Sequence, residues 1–428
     1  MLITLLLAFQ VRTVVIVATE HSYAPKTDAL GYDIIASSLV NGHGYGNALV
    51  PPAVGHSAFR PPGYPFSLAL VYAIVGPHDW TSGRVTNAAL GTVVVALIGL
   101  LAAMLFDRRV AAVALVIAAV HPTLMLFGSG LQLEPLLMTF ELGALAAVLQ
   151  HRRSQRRWSW LVVAGVLLGL AILTREVAVL LVPPMALLLW PKPRRWNREA
   201  AVSVATVFAV AIVVVAPWTI RNAVSLHAFV PVTTDSGVAW SGTYNDTSRN
   251  NPQFPGLWLP PWQDPHLLHE MLSLHDRSEE NVDRFLRQQA FDYIRAHPGY
   301  VPVAFARNTV RLFDLNGPNY ALFVSQYLPY PPTLTRAAVY ASYPIYVLAI
   351  AALFFPAWRR SPRAFWLCPV LAWLGFALIA THIRYRASIE PFLVIAAAVT
   401  LVGLYDRAGH RDPSRRSDER VLEAAGRS

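Results

Sequence analysis

The sequence predicts an all-α polytopic membrane protein: a bundle of about ten transmembrane helices with an interfacial helix on the outer side and a small extracytoplasmic domain. Three observations predict it. Of the 428 residues, 55% are hydrophobic and only 14% are charged, a balance far from that of a soluble domain. The apolar residues fall in runs close to the ~20 that a spanning helix needs. The basic residues gather between those runs, as DRR at 107–109, HRRSQRR at 151–157, KPRRWNR at 192–198, WRRSPR at 358–363 and DRAGHRDPSRR from 406, and the positive-inside rule assigns such clusters to the cytoplasm.

The formal charge of +10 thus serves topology. It forms no single stripe and accompanies no nucleic-acid motif, so no nucleic-acid partner is expected. The one cysteine, Cys368, lies inside an apolar run, which argues against a disulfide framework or a cysteine metal site.

Taken in order, the first apolar run, 1–19, lacks a basic n-region and a small-residue cleavage site and reads as a retained span. The next begins RPPGYPFSLALVYAIVG, and its apolar part, 61–76, is too short to cross. Counting it as a span would invert everything before it and put DRR outside. It therefore reads as an interfacial or re-entrant helix at the outer face, with the double proline suited to a first turn and Arg60 held at the membrane lip. Spans follow at about 82–106, 110–128, 134–150, 158–175, 176–191, 200–219, 338–357, 365–382 and 387–405. The first outer loop is 20–81, inside an N-terminal transmembrane module of 1–222. The segment 223–337, rich in aromatic residues, Pro and Asn, reads as the extracytoplasmic domain. The helices of 338–405 and a basic, disordered cytoplasmic tail, 406–428, complete the chain. No internal repeat is evident.

Several charges lie on the unexpected side. Arg12, Arg60, Arg175, Arg221, Arg384 and Arg386 fall at outer span ends, and the acids Asp28 and Glu134 lie at the same depth. Ionisable groups there are costly and usually face a cavity. Several guanidinium groups with few acids suit a phosphate. Plainer readings exist for each. Arg12 and the pair Arg384 and Arg386 can anchor span ends by snorkelling, while Asp28 and Glu134 can serve as first-turn acids of the helices they open. The glycines of NGHGYGN suit a turn better than a phosphate cradle, since no strand precedes them and no GK[ST] follows. His43, His56 and His382 lack ligand spacing. Trp240, Trp258 and Trp262 of the outer segment suit core packing more than stacking on sugar rings.

In this order and on this topology, TDALGYDIIASSLVNGHGYG, FRPPGYPFSLALVYAIVG, LQLEPLL, LTREVAVLLVP, PWTIRN and RYRASIEPFLVIAA resemble the bacterial family 39-type glycosyltransferases of the GT-C superfamily. That group resembles protein O-mannosyltransferases and the lipid A aminoarabinose transferase. The likeness covers about 1–225 and 380–400, and more loosely AWSGTYND. It implies an inverting transfer of a sugar from a polyprenyl monophosphate to an acceptor hydroxyl of a cell-envelope glycan, lipid or protein, at the outer face of the inner (plasma) membrane. By the same resemblance Asp28 matches the general base and Glu134 the second acidic position. It also matches Arg60 to a basic residue that binds the donor phosphate and Arg384 and Arg386 to a basic pair before the last span. Beside the resemblance, Arg384, Arg386, Arg12 and Arg221 are candidate donor-phosphate ligands, and Tyr32, Tyr64 and Asn245 are candidate substrate contacts. The mannosyltransferases carry Asp followed by Glu where this chain has Asp28 and Ala29, so an acceptor pocket like theirs is not implied. No nucleotide or other cofactor is required; a divalent cation shared by Asp28 and Glu134 is the alternative left open. Rival functions are a lipid-linked sugar flippase or transporter, a diphosphate-dependent glycan ligase or polymerase, and an assembly scaffold.

Overall fold

The computed structural model describes residues 1–47, 55–154, 157–190, 197–325, 331–379 and 383–409, and every regular element among them is helical. The tail from 410 and most of the 192–198 cluster lie outside the described residues. The amino-terminal half holds α1 (Leu2–Ala18), α2 (Asp28–Val40), α3 (Gly63–Val75), α4 (Trp80–Leu105), α5 (Arg108–Val120), α6 (Pro122–Phe127), α7 (Glu134–His151), α8 (Arg157–Thr174), α9 (Val182–Leu189) and α10 (Arg198–Leu226). The segment after it holds α11 (Ser236–Ser241), α12 (Asp246–Arg249), α13 (Pro265–Ser273), α14 (Glu279–Ala296), α15 (Tyr300–Leu312) and α16 (Asn319–Ser325). The chain ends in α17 (Pro332–Ala351), α18 (Pro356–Arg360), α19 (Arg363–Ile379) and α20 (Glu390–Gly409).

Among the described residues, four helices are long and apolar enough to cross a bilayer: Trp80–Leu105, Arg198–Leu226, Pro332–Phe354 and Glu390–Ala408. Two of the expected spans are interrupted at prolines. The expected span 110–128 breaks at His121, whose extended backbone (φ −63°, ψ 117°) precedes Pro122, as the steric clash of a following proline ring demands. The expected span 176–191 starts as a 3₁₀ turn, Glu176–Leu181, and becomes α-helical only at α9, where two prolines occupy the first turn. The segment after Arg60 forms α3, thirteen residues beginning directly after Pro61 and Pro62, too short to span.

The chain is a multi-pass membrane protein, and its packing shows the inversion that lipid imposes. Helix α10 turns Ile212, Val213, Ile220 and Val224 outward, a face that hydrocarbon covers. The core lies inside the bundle, where Val95, Ile98 and Leu101 of α4 meet Ala114 and Ala118 of α5, Leu142 and Leu145 of α7, and Val394 and Ala398 of α20. A polar group inside the bundle needs a protein partner, since lipid offers none. Asn87 of α4 donates to the backbone oxygens of Gly130 (2.6 Å) and Gln132 (2.8 Å) and to the Tyr64 hydroxyl (3.0 Å).

Two short elements position the chemistry. Helix α2 is tied to α3 by Asp33, which accepts from the Tyr72 hydroxyl at 2.6 Å and meets His78 Nδ1 at 2.8 Å. Before α20, residues Ile383–Ser388 form a 3₁₀ turn that carries Arg384 and Arg386.

Candidate active site

Asp28 opens α2, its carboxylate at the amino end of the helix, where the exposed N–H groups favour negative charge. Arg60 stands one residue before the double proline. Its backbone is pinned by the Tyr45 hydroxyl, which donates to the carbonyls of Arg60 (2.8 Å) and Pro61 (3.3 Å). The stretch of chain leading into it is lashed to the segment 223–337. Thr233 donates to Phe59 O (2.8 Å), Thr234 N donates to Ala58 O (3.1 Å), and Glu279 accepts from Ser57 Oγ (2.7 Å) and Ala58 N (2.8 Å). So fixed, Arg60 Nη2 donates to Asp28 Oδ1 at 2.5 Å.

From the far end of the sequence, Arg384 reaches the same carboxylate. Its Nη2 lies 3.0 Å from Asp28 Oδ2 and its Nε 3.0 Å from Glu134 Oε1. Glu134 opens α7 and is buried, with its second oxygen lacking a hydrogen-bond partner. Arg175, at the end of α8, approaches Glu134 Oε1 at 3.6 Å with its guanidinium 4.8 Å from the Tyr385 ring centre. Asp235 of the segment 223–337 lies 3.9 Å from Arg60 Nη1. Three arginines and three carboxylates thus meet where α2, α7, α8, the 383–388 turn and that segment converge.

Burial would raise the Asp28 carboxyl, but the guanidinium groups of Arg60, Arg384 and Arg175 outweigh it and hold the group well below the usual carboxylate range. Asp235 goes the other way: burial, then the neighbouring Glu176 carboxylate, push it well above the ordinary value, and Arg60 only partly offsets them. Beside these groups is a cavity of about 440 Å³, whose lining includes Asp28, Arg60, Asp235 and Arg384 together with Trp258, Trp262 and Phe323.

Of the residues singled out in the sequence, the structure gathers Asp28, Glu134, Arg60 and Arg384, and it seats Tyr32 beneath them, its ring 6.0 Å from the Arg60 guanidinium and 5.0 Å from the Tyr64 ring. Tyr64 is one layer deeper, bonded to Asn87. Four others go elsewhere. Arg12 is buried inside α1's contacts, donating to Ala8 O (2.7 Å) and Leu124 O (3.3 Å) where Gly91 and Gly128 make room for it. Arg221 braces the loop before Arg60 by donating to Ser57 O (2.7 Å) and Tyr45 O (2.9 Å), with its guanidinium 4.8 Å from the Trp218 ring. Arg386 points away from Arg384 into its own buried network with Asp314 (2.8 Å) and Glu390 (2.5 Å). Asn245 caps α12, accepting from Ser248 N at 2.6 Å. Asp235 was not among the sequence candidates, and neither its spacing nor its neighbours mark it. Arg175 stood out only as a charge on the outer side.

A divalent cation shared by Asp28 and Glu134 finds a guanidinium between the two carboxylates, and among the described residues no three His, Cys, Asp or Glu side chains gather as a metal-binding group.

Residues 59–220 match the family model described as dolichyl-phosphate-mannose-protein mannosyltransferase. No curated protein sequence matches the chain. Among solved structures, the apo oligosaccharyltransferase of Archaeoglobus fulgidus aligns with TM-score 0.57 at 14% identity, over 98% of this chain and 52% of that one. The same enzyme tethered to an acceptor peptide containing the NVT sequon aligns with TM-score 0.51 at 12% identity, over 94% and 50%. ArnT from Cupriavidus metallidurans bound to undecaprenyl phosphate aligns with TM-score 0.46 at 18% identity, over 93% and 77%. The chain spans about half the length of the oligosaccharyltransferase it matches, and at these identities the likeness is one of fold. The protein therefore has the polytopic fold of the GT-C membrane glycosyltransferases, and its segment 59–220 is similar to the dolichyl-phosphate-mannose-protein mannosyltransferases.

Proposed function

We propose that the chain transfers a sugar from a polyprenyl monophosphate to an acceptor hydroxyl of a cell-envelope glycan, lipid or protein at the extracytoplasmic face of the inner membrane. One observation carries this reading: the Asp28 carboxylate is gripped by Arg60 at 2.5 Å and Arg384 at 3.0 Å beside a cavity. A general base and two anion-binding groups thus share one point. The family description supports a lipid-phosphate donor.

In the ligand-free arrangement Asp28 is a poor base, because two guanidinium groups stabilise its charge. A lipid phosphate entering between Arg60 and Arg384 competes for them and leaves Asp28 more basic. The acceptor oxygen then attacks the anomeric carbon from the face opposite the phosphate, its proton passes to Asp28, and the bond from carbon to phosphate oxygen breaks with its electron pair on the phosphate. One displacement inverts the anomeric centre. The carboxylate contributes a rate factor of order 10² to 10⁴. The arginines, already aimed at the leaving phosphate, stabilise the transition state more than the ground state. Glu134 acts through Arg384, holding its Nε so that Nη2 remains at the site.

The test is sugar transfer from radiolabelled polyprenyl monophosphate sugars into envelope lipid and glycan acceptors, in membranes holding wild type or Asp28→Asn. Transfer that falls by at least 10² at equal protein abundance is the expected result. Equal transfer by both, or none from any monophosphate donor, would remove the transferase reading.

A further inference from the structure

We infer that the aromatic wall of the cavity is a subsite for a sugar ring, an inference that rests on Arg60 and Arg384 holding the lipid phosphate. The cavity, about 440 Å³, falls within the ~300–1,000 Å³ of small-molecule sites. Its lining is of two kinds: charged groups, and the aromatic side chains of Trp258, Trp262 and Phe323, with Gln263 next to Trp262 in the chain. A prenyl tail would meet carboxylates in such a chamber, and charge set against hydrocarbon is costly. A pyranose has an apolar C–H face for the indoles and a rim of hydroxyls for Gln263, Asp28 and Asp235.

The local chain holds the wall rigid. The Trp258 indole N–H donates to Ala239 O at 3.1 Å, and Gly242 packs beneath the ring in space that any Cβ would fill. Trp262 lies in the 3₁₀ turn Pro261–Gln263, entered through Pro260 and closed by Asp264, whose carboxylate accepts from the amides of His266 and Leu267, each at 3.0 Å. Trp262 remains 41% exposed, whereas Trp240 is used in packing, 5.8 Å from the Tyr244 ring and 5.3 Å from Phe291. The expectation that these tryptophans serve the core thus holds for Trp240, while Trp258 and Trp262 face the cavity.

A sugar ring at this wall has two sources, the donor's own sugar and a glycan acceptor. The experiment uses the full chain in nanodiscs, as wild type, Trp262→Ala and Trp262→Phe. One arm measures binding of undecaprenyl phosphate, bare and carrying mannose or glucose; the other measures binding of mannotriose and maltotriose with bare undecaprenyl phosphate present. The subsite predicts that a saccharide-bearing probe loses about tenfold in affinity for Trp262→Ala, a stacking contribution of ordinary size. Trp262→Phe retains most of that affinity, and the bare lipid phosphate binds all three alike. A loss in the first arm assigns the donor sugar, and a loss in the second assigns the acceptor. Equal binding of every saccharide probe to wild type and Trp262→Ala, or no sugar-dependent binding in either arm, overturns the subsite. Bare undecaprenyl phosphate that fails to bind wild type, or binds Arg60→Ala equally well, overturns instead the phosphate reading beneath it.

Discussion

Asp28 meets two guanidinium groups at close range and Asp235 only one, at 3.9 Å, and their carboxyls shift in opposite directions. The consequences for pH have opposite signs. Asp28, held low, stays ionised as pH falls through the ordinary carboxylate range, and its ion pairs are lost only when pH drops through that depressed value. Asp235, held high, remains neutral until pH rises through its raised value, and on ionising it adds negative charge beside Arg60. Phosphate binding should therefore weaken at the alkaline end of the profile. Asp235→Asn should remove that weakening, measured as affinity for bare undecaprenyl phosphate against pH; the same alkaline loss in both proteins would rule Asp235 out as its cause. Asp235 could not be found in the sequence because it reaches Arg60 only through the fold, across 175 positions of chain. Asn245 could have been read correctly, since Asn before Asp-Thr-Ser matches the pattern of a helix cap whose side chain receives the third amide.

At the scale of elements, the 383–388 turn decides what Arg384 does. In the sequence Arg384 and Arg386 look like a pair serving one anion. A 3₁₀ turn has about three residues per turn, so positions two apart point to different sides, and the structure sends Arg384 to Asp28 and Glu134 and Arg386 to Asp314 and Glu390. Arg386 is fully buried and also donates to Leu312 O at 3.0 Å, so it fastens the turn to the end of α15 and the start of α20. Arg386→Ala leaves buried carboxylates without their cation, a loss of about 3–5 kcal/mol. Thermal unfolding of the detergent-solubilised protein should show a clear drop in midpoint for Arg386→Ala. Equal stability of Arg386→Ala and wild type would contradict the anchoring role. Proline marks other boundaries: Pro61 with Pro62 starts α3, as read from the sequence, whereas Pro122, inside the expected span 110–128, ends α5. The 3₁₀ character of 383–388 had no such signal, because no proline or glycine marks it.

At the scale of the molecule, run lengths and the distribution of arginine were sufficient to read an all-helical membrane bundle, since lipid leaves a chain few other ways to satisfy its backbone. They did not show that distant segments meet at one point: Asp28, Arg60, Glu134, Arg175, Asp235 and Arg384 come from six separate stretches, and only packing joins them. Topology makes its own prediction. With Cys368 buried and the sole native cysteine, single cysteines report sidedness cleanly. An impermeant maleimide applied to intact cells should label Ser273→Cys, exposed in the outer segment, and spare Arg152→Cys, exposed in the basic cluster after α7. The reverse pattern would put the cavity on the cytoplasmic side.

The central claim is that Arg60 and Arg384 belong to a lipid phosphate and are lent to Asp28 when none is bound. Affinity of the purified chain for bare undecaprenyl phosphate, compared between wild type and Asp28→Asn, tests it most directly. Removing the competing carboxylate should make the transfer-dead variant bind the lipid phosphate several-fold more tightly. Unchanged or weaker binding would mean that these arginines are ligands of Asp28 alone, and the account would fail.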